Sequence, residues 1–288
     1  VTFGLPAAAA RAASRSCPEP IIVTRQFDER LRSMTSTGSS AQLPPLPPLA
    51  PRAWLRYDLV SRMLRRLRPQ TVLEMGCGQG SFGARLAAGG SYLGIEPDEQ
   101  AAAVARSRIA PRGGTVVLGD QHAVPDGSTY DLVCAFEVLE HLEHDAEMLA
   151  TWASFVRPGG HLMLSVPAWP DRFGPMDTHA GHYRRYTPDQ LRSLITDAGL
   201  EPVQVAVYGW PLGYALEAVR NPIDARKLDR EAADLSMDER TASTGRTFQP
   251  PNRVIGTAVA LATTPFRYLQ RLAPTRGTGL VALARRPA

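Results

Sequence analysis

Apolar positions along this chain fall into two rhythms. "RAWLRYDLVSRMLRRLRP" places Trp54, Leu55, Leu59, Met63, Leu64 and Leu67 at helical spacing, with arginines on the other face and Pro69 as a stop. Short apolar runs follow: "TVLEM" (71–75), "SYLGI" (91–95), "GTVVL" (114–118), "YDLVCAF" (130–136) and "HLMLSV" (161–166), each read as a strand. Helical patterns separate them at about 80–88, 98–108 and 142–156. Strand, helix and strand at this pitch imply crossover connections, and so an α/β fold whose parallel sheet carries helices on both faces. "EPVQVAVY" (201–208) adds a strand, and "GTGLVALARRP" (277–287) adds a last one.

Between those two strands, 209–276 breaks the alternation. "ARKLDREAADLSMDERTASTGRT" is charged and poor in large apolar residues, so it reads as a mobile helix or loop. "NRVIGTAVALATTPFRYLQRLA" is apolar and helix-like, with a kink expected at Pro265. The region is expected to be a helical insertion. A plain packing helix is the first reading; a lid, a homodimer surface or an interfacial helix stay open. Residues 1–50 lack any period and are rich in Ser, Pro and Ala, which suggests a flexible lead-in. The expected domain is therefore 51–208 plus 277–288.

Composition narrows the function classes. At 288 residues and 44% hydrophobic, the chain can bury one large core. The net charge of +4 rests on scattered arginines and a single lysine, Lys227, with no basic run, so no nucleic-acid partner is expected. Cys17, Cys77 and Cys134 form no C-x-x-C pair, which argues against a disulfide framework or zinc knuckle. No apolar run reaches transmembrane length and the start does not read as a secretion signal, so a cytoplasmic location is expected.

The chemistry begins at "VLEMGCGQG". A strand runs into Gly76, Gly78 and Gly80, and a helix follows. Such glycines permit left-handed turns and let a ligand approach the main chain. The spacing is G-x-G-x-G rather than the dinucleotide G-x-G-x-x-G, and Glu74 would repel a pyrophosphate but welcome a cation. That disfavours a nicotinamide oxidoreductase. Glu96 ends the second strand, where it could accept hydrogen bonds from ribose hydroxyls, and Asp120 ends the third, where it could meet an adenine amino group. Ribose, adenine and a positive head together describe S-adenosylmethionine.

"LEMGCGQG", "GIEPD", "GD", "YDLVCAFEVLEHLEH" and "VRPGGHLMLSVP" resemble, in order, the motifs of class I S-adenosylmethionine-dependent methyltransferases over about 70–167. The resemblance implies a Rossmann-like seven-stranded sheet of order 3-2-1-4-5-7-6 with strand 7 antiparallel, and makes "GLVALARRP" strand 7. By motif, it implies that Glu74, Gly76, Gly78 and Gly80 contact the methionine part, with Cys77 in the same loop. Glu96, with Pro97, would hold the ribose. Asp120, Gln121 and His122 would flank adenine, and Phe136 and Glu137 would close the methionine end.

Glu137, Glu140 and His141 stand at i, i+3 and i+4, on one face if helical. They could hold a divalent cation such as Mg2+, as some ubiquinone-biosynthesis methyltransferases, which the segment also resembles, use a metal. The heavier reading has no metal and a segment that buttresses the cofactor loop. After strand 5 comes "PAWPDRFGPMDTHAGHYRRYT", pinned by a helix start at Thr187, Pro188 and Gln190. In this fold that loop overhangs the methyl group. Trp169, Asp177, Tyr183, Arg184, Arg185 and Tyr186 are the candidate acceptor-binding residues. An internal network pairing Asp177 with Arg184 or Arg185 is the alternative. His179 and His182, with His141 third, are the candidate bases. The expected activity is methylation of a small molecule, on oxygen before nitrogen or carbon. A nucleic-acid methyltransferase is disfavoured, since no N/D-P-P-Y/F follows strand 4. A non-catalytic cofactor-binding protein is the rival from another class.

Overall fold

A computed structural model describes residues 43–229 and 252–288. Parts of the expected N-terminal lead-in (1–42) and of the charged insertion (230–251) lie outside the described residues.

Helix α1 (Pro51–Leu67) opens on a proline at its first turn, where a missing N–H costs nothing, and closes with Arg68 in the left-handed region (φ 47°). It buries Leu55, Leu59, Val60 and Met63. Leu43–Ala50 departs from the flexible reading. Pro47 and Leu49 are buried, and the Pro47 and Pro44 carbonyls accept from Arg85 and Arg112, so the segment is packed from Pro47 onward while Leu43–Leu46 stay exposed.

The strands are β1 (Thr71–Met75), β2 (Ser91–Glu96), β3 (Thr115–Leu118), β4 (Tyr130–Phe136), β5 (Val156–Pro167), β6 (Glu201–Gly209) and β7 (Gly277–Arg285). They form one sheet of order β3-β2-β1-β4-β5-β7-β6. The pairs among β1 to β5 are parallel, and β7 runs antiparallel to both β5 and β6. The strand order reverses between β1 and β4, which opens a crevice at their carboxyl ends.

Period-two alternation sorts the side chains onto two buried faces. Val72, Leu132, Cys134, Phe136, Met163 and Val281 pack with α1 on one side. Leu73, Met75, Val133, Ala135, Leu162, Leu164 and Leu280 pack on the other. Helix layers on both faces explain why these strands are almost continuously apolar.

Helices α2 (Gly83–Leu86), α3 (Glu99–Ile109), α4 (Asp145–Ser154), α5 (Pro175–Ala180) and α6 (Pro188–Asp197) fill the connections. α6 has the capping box expected of Thr187 and Gln190, with each side chain bonded to the other's backbone. The 209–276 region supplies α7 (Leu212–Leu228) and α8 (Arg253–Leu269), and Pro265 lies within α8. α7 begins well before the charged stretch and packs on α5. No helix among the described residues is long and apolar enough to cross a membrane.

Candidate active site

The glycine loop sits where β1 meets the crevice. Gly76, Gly78 and Gly80 all hold left-handed backbone, with φ of 65°, 54° and 74°. Their needs differ. A Cβ on Gly80 would meet the Ala105 Cα at 2.9 Å, so Gly80 lets α3 pack against the loop. A Cβ on Gly78 would meet nothing within 4 Å, so Gly78 leaves open space above the main chain. That space is a cleft of about 270 Å³ lined by Glu74, Gly76, Cys77, Gly78, Phe136 and Glu137, with Ala50, Ala53 and Arg56 from the start of α1. A second cleft of about 240 Å³, lined by Arg62, Arg66 and Arg271 among others, shares no residue with it.

Glu96 holds the loop in place: its Oε2 accepts from the Gly78 N–H at 2.7 Å and its Oε1 from the Asp98 N–H at 3.0 Å. It is buried, and burial raises its pKa. The Gly119 N–H donates to the Glu96 carbonyl, which draws the ends of β2 and β3 together. There Asp120 is exposed and caps a single turn through the His122 N–H. Gln121, His122 and exposed Pro97 share this rim, and none of the four lines the cleft.

Glu74 is buried and accepts from the Tyr92 hydroxyl at 2.5 Å. Burial pushes its carboxyl up from 4.5 to about 8, against the Tyr92 hydrogen bond and the charge of Arg56. Between pH 4.5 and 8 the unfolded chain has therefore lost this proton while the folded chain keeps it, and stability should fall as pH rises through that window. Glu74→Gln should remove that slope, a difference on the order of a few kcal/mol in urea unfolding at pH 8 relative to pH 5. Parallel stability–pH curves for the two proteins would refute the assignment.

Phe136 ends β4 against Phe82, with ring centroids 4.9 Å apart. Glu137 then enters the left-handed region at φ 58°. Its N–H donates to the Ser165 carbonyl, and its Oε1 accepts from the Ser165 hydroxyl (2.9 Å) and the Tyr208 hydroxyl (3.3 Å). Arg56 pairs with it at 3.0 Å. Burial would raise this carboxyl, but Arg56, Arg52 and Ser165 hold it below the usual carboxylate range. Arg56, Ser165 and Tyr208 were not foreseen. Arg56 reads as one more arginine on the polar face of α1, and only the fold turns it inward.

The helical reading of 137–141 is corrected. Leu139–His141 is one tight 3-10 turn, and the left-handed Glu137 points to Arg56 instead of sharing a face with Glu140 and His141. His182 takes its place: one donor atom each from Glu140, His141 and His182 lie within 4.8 Å of one another. The His141 and His182 rings meet edge-on at 4.6 Å. Two imidazoles and a carboxylate form a donor set suited to a transition metal more than to magnesium. Glu140 is fully buried, neither carboxylate oxygen has a hydrogen-bond partner among the described residues, and burial raises its pKa far above the usual range. Burial and His182 push His141 down to about 3, so it stays neutral near pH 7 and is a poor proton acceptor.

The loop 177–187 faces mostly inward. Arg185 is fully buried and grips both Asp177 oxygens at 2.8 and 2.7 Å, and its Nη1 reaches Glu217 of α7 at 3.0 Å. Arg172 and Arg52 also pair with Glu217. Arg184 pairs with Asp145 at 2.7 Å, and the Tyr186 hydroxyl donates to the other Asp145 oxygen. The Trp169 indole donates to the Gly277 carbonyl. Asp177, Arg184, Arg185, Tyr186 and Trp169, expected to meet an acceptor, thus spend their polar groups on one another and on the scaffold, because buried charges persist only when paired. Tyr183 is the exposed member. His179 is buried on α5. His182 places Nδ1 2.8 Å from Asp177 Oδ1.

A family model described as a methyltransferase domain matches residues 50–205. The ubiquinone biosynthesis O-methyltransferase of Aromatoleum aromaticum is 32% identical over 133 residues, 44% of this chain and 55% of that protein. A Mycobacterium tuberculosis protein named as an S-adenosylmethionine-dependent methyltransferase is 36% identical over 165 residues, 54% of this chain and 58% of that one. The chain therefore spans little more than half the length of these relatives. Among solved structures, YcgJ of Bacillus subtilis has a TM-score of 0.52 at 12% identity, covering 81% of this chain and 99% of that one. Phosphoethanolamine N-methyltransferase 2 of Haemonchus contortus, solved with S-adenosyl-L-methionine, has a TM-score of 0.50 at 16% identity, covering 81% and 53%. These two likenesses concern the fold.

Proposed function

The chain belongs to the class I S-adenosylmethionine-dependent methyltransferases, and from that premise we propose that it methylates an oxygen of a small-molecule acceptor. The observation that carries the oxygen reading is the Asp177–His182 pair. Asp177, kept ionised against its burial by hydrogen bonds from His182 and Arg185, accepts the Nδ1–H of His182 and so fixes the tautomer whose Nε2 carries a lone pair. A base so oriented is required when a hydroxyl gives up its proton and not when a neutral amine attacks. The similar protein of Aromatoleum aromaticum is named an O-methyltransferase, which supports this reading.

The cleft suits the cofactor. The space above Gly78 admits a ligand to bare backbone, the Glu137 carboxylate, held ionised by Arg56, faces a cationic methionine end, and the neutral Glu74 carboxyl lines the same wall. When bound, S-adenosylmethionine supplies a methyl group already activated on a sulfonium. The chain's own task is then to position the acceptor, exclude water and take one proton. Phe82 and Phe136 wall the cleft against water, and His182 Nε2 takes the proton of a hydroxyl acceptor as its oxygen bonds the methyl group, the methyl–sulfur bond breaks, and an ether and the neutral thioether nucleoside result.

Labelled S-adenosylmethionine incubated with the chain and a panel of phenols, carboxylic acids and amines tests the reading. Label should enter the oxygen acceptors. His182→Ala should lower kcat by about 10²–10⁴ while leaving cofactor affinity within roughly twofold. Asp177→Asn should follow it in direction, and His179→Ala should not. Full turnover in His182→Ala would remove the base from the account and favour an acceptor that attacks without losing a proton, an amine or a carboxylate.

A further inference from the structure

Helix α8 presents an apolar face to solvent. Val254, Leu261, Tyr268 and Leu272 are 79%, 70%, 61% and 77% exposed. Their spacing of seven, seven and four residues puts them on one line along the helix axis and its following turn. Ile255 and Leu269 widen the stripe, and exposed Ala258, Ala262 and Pro265 fill it without adding charge. The opposite side holds the helix to the domain: Gly256 and Thr263 are buried, and Gln270 just beyond donates to the Leu55 carbonyl. The face is therefore firmly aimed, and large exposed apolar side chains in a row mark an interaction surface.

We propose that this face docks on an anionic lipid surface, with α8 lying in the plane of the interface. The charge pattern chooses that partner. From Asn252 to Gly277 there is no acidic residue and there are four arginines: Arg253, Arg267, Arg271 and Arg276. Arg253 opens the helix, Arg276 lies beyond its end, and Arg271 stacks on Tyr268 at 4.7 Å. Asp58 of α1 meets Arg271 at 2.7 Å and Arg267 at 3.8 Å, which leaves the segment's two ends cationic. Two copies meeting through this stripe would bring arginines to arginines with no acid in the segment to answer them. Anionic headgroups supply the missing countercharge while the acyl boundary takes up the apolar line. This assignment is independent of the methyl-transfer reading.

The test is sedimentation of the full chain with vesicles of phosphatidylcholine containing about one-third phosphatidylglycerol, beside pure phosphatidylcholine. The chain should pellet with the anionic vesicles, and binding should weaken severalfold between about 0.1 and 0.5 M salt. The double variant L261E/L272E should lose at least about tenfold in partitioning. Its melting temperature should hold, because both side chains already face water. V203E, at an exposed apolar position on β6, should pellet as the parent does. The proposal is overturned by an absence of anionic-vesicle binding, by equal binding to neutral vesicles, by unchanged binding in L261E/L272E, or by a dimer that this double variant dissolves.

Discussion

Gly78→Val is expected to lose at least about a hundredfold in affinity for S-adenosylmethionine while the protein stays folded. The position sits at φ 54°, so any L side chain costs about 1–2 kcal/mol of backbone strain. The added Cβ meets no neighbour within 4 Å, and the side chain grows from a residue that lines the cleft where a ligand would approach the main chain. Gly80→Val separates the two roles of the loop. Its Cβ would fall 2.8 Å from the Ile109 side chain and 2.9 Å from the Ala105 backbone, and that variant should lose stability first. Thermal melts and cofactor titrations on both proteins check the pair. A Gly78→Val protein that binds normally would mean the cofactor lies elsewhere.

Arg185→Ala should be the most destabilising change in the loop, by about 3–5 kcal/mol in urea unfolding. Its guanidinium is fully buried between Asp177 and Glu217, themselves buried. Truncating it strips Asp177 of the guanidinium that holds both its oxygens, and Arg172 and Arg52 reach only Glu217. Arg185→Lys should recover little, since an ammonium cannot span both Asp177 oxygens and Glu217 at once. A loss under about 1 kcal/mol would contradict the reading of this residue as the clamp that joins the loop to α7.

That clamp shows where sequence reasoning stops. Histidines, arginines and an aspartate crowded into one loop look the same whether they face a ligand or one another. The deciding partner, Glu217, stands 32 residues beyond Arg185 on a helix that the sequence presents as insertion. Its only signal there is a lone acid in the apolar run "LGYALEAV". The sheet was far more legible. Strand ends at Met75, Glu96 and Phe136 follow from apolar runs closed by glycines or acids, and β7 was recoverable because its apolar alternation resumes after a long break. Residues 137–141 misled for a physical reason. Their spacing is helical, but Ser165, Tyr208 and Arg56 draw the Glu137 side chain and backbone into a left-handed turn, and those contacts lie on three other elements. Asp177 with His182, the pair on which the oxygen reading depends, was visible as two candidates but not as a couple.

The central claim is that the space bounded by the glycine loop, Glu74 and Glu137 receives the sulfonium nucleoside. Calorimetric titration of the chain with S-adenosylmethionine, and separately with S-adenosylhomocysteine, tests it most directly. One site per chain in the micromolar range, lost in Gly78→Val, is the predicted result; no heat with either nucleoside, or equal binding by Gly78→Val, would contradict it.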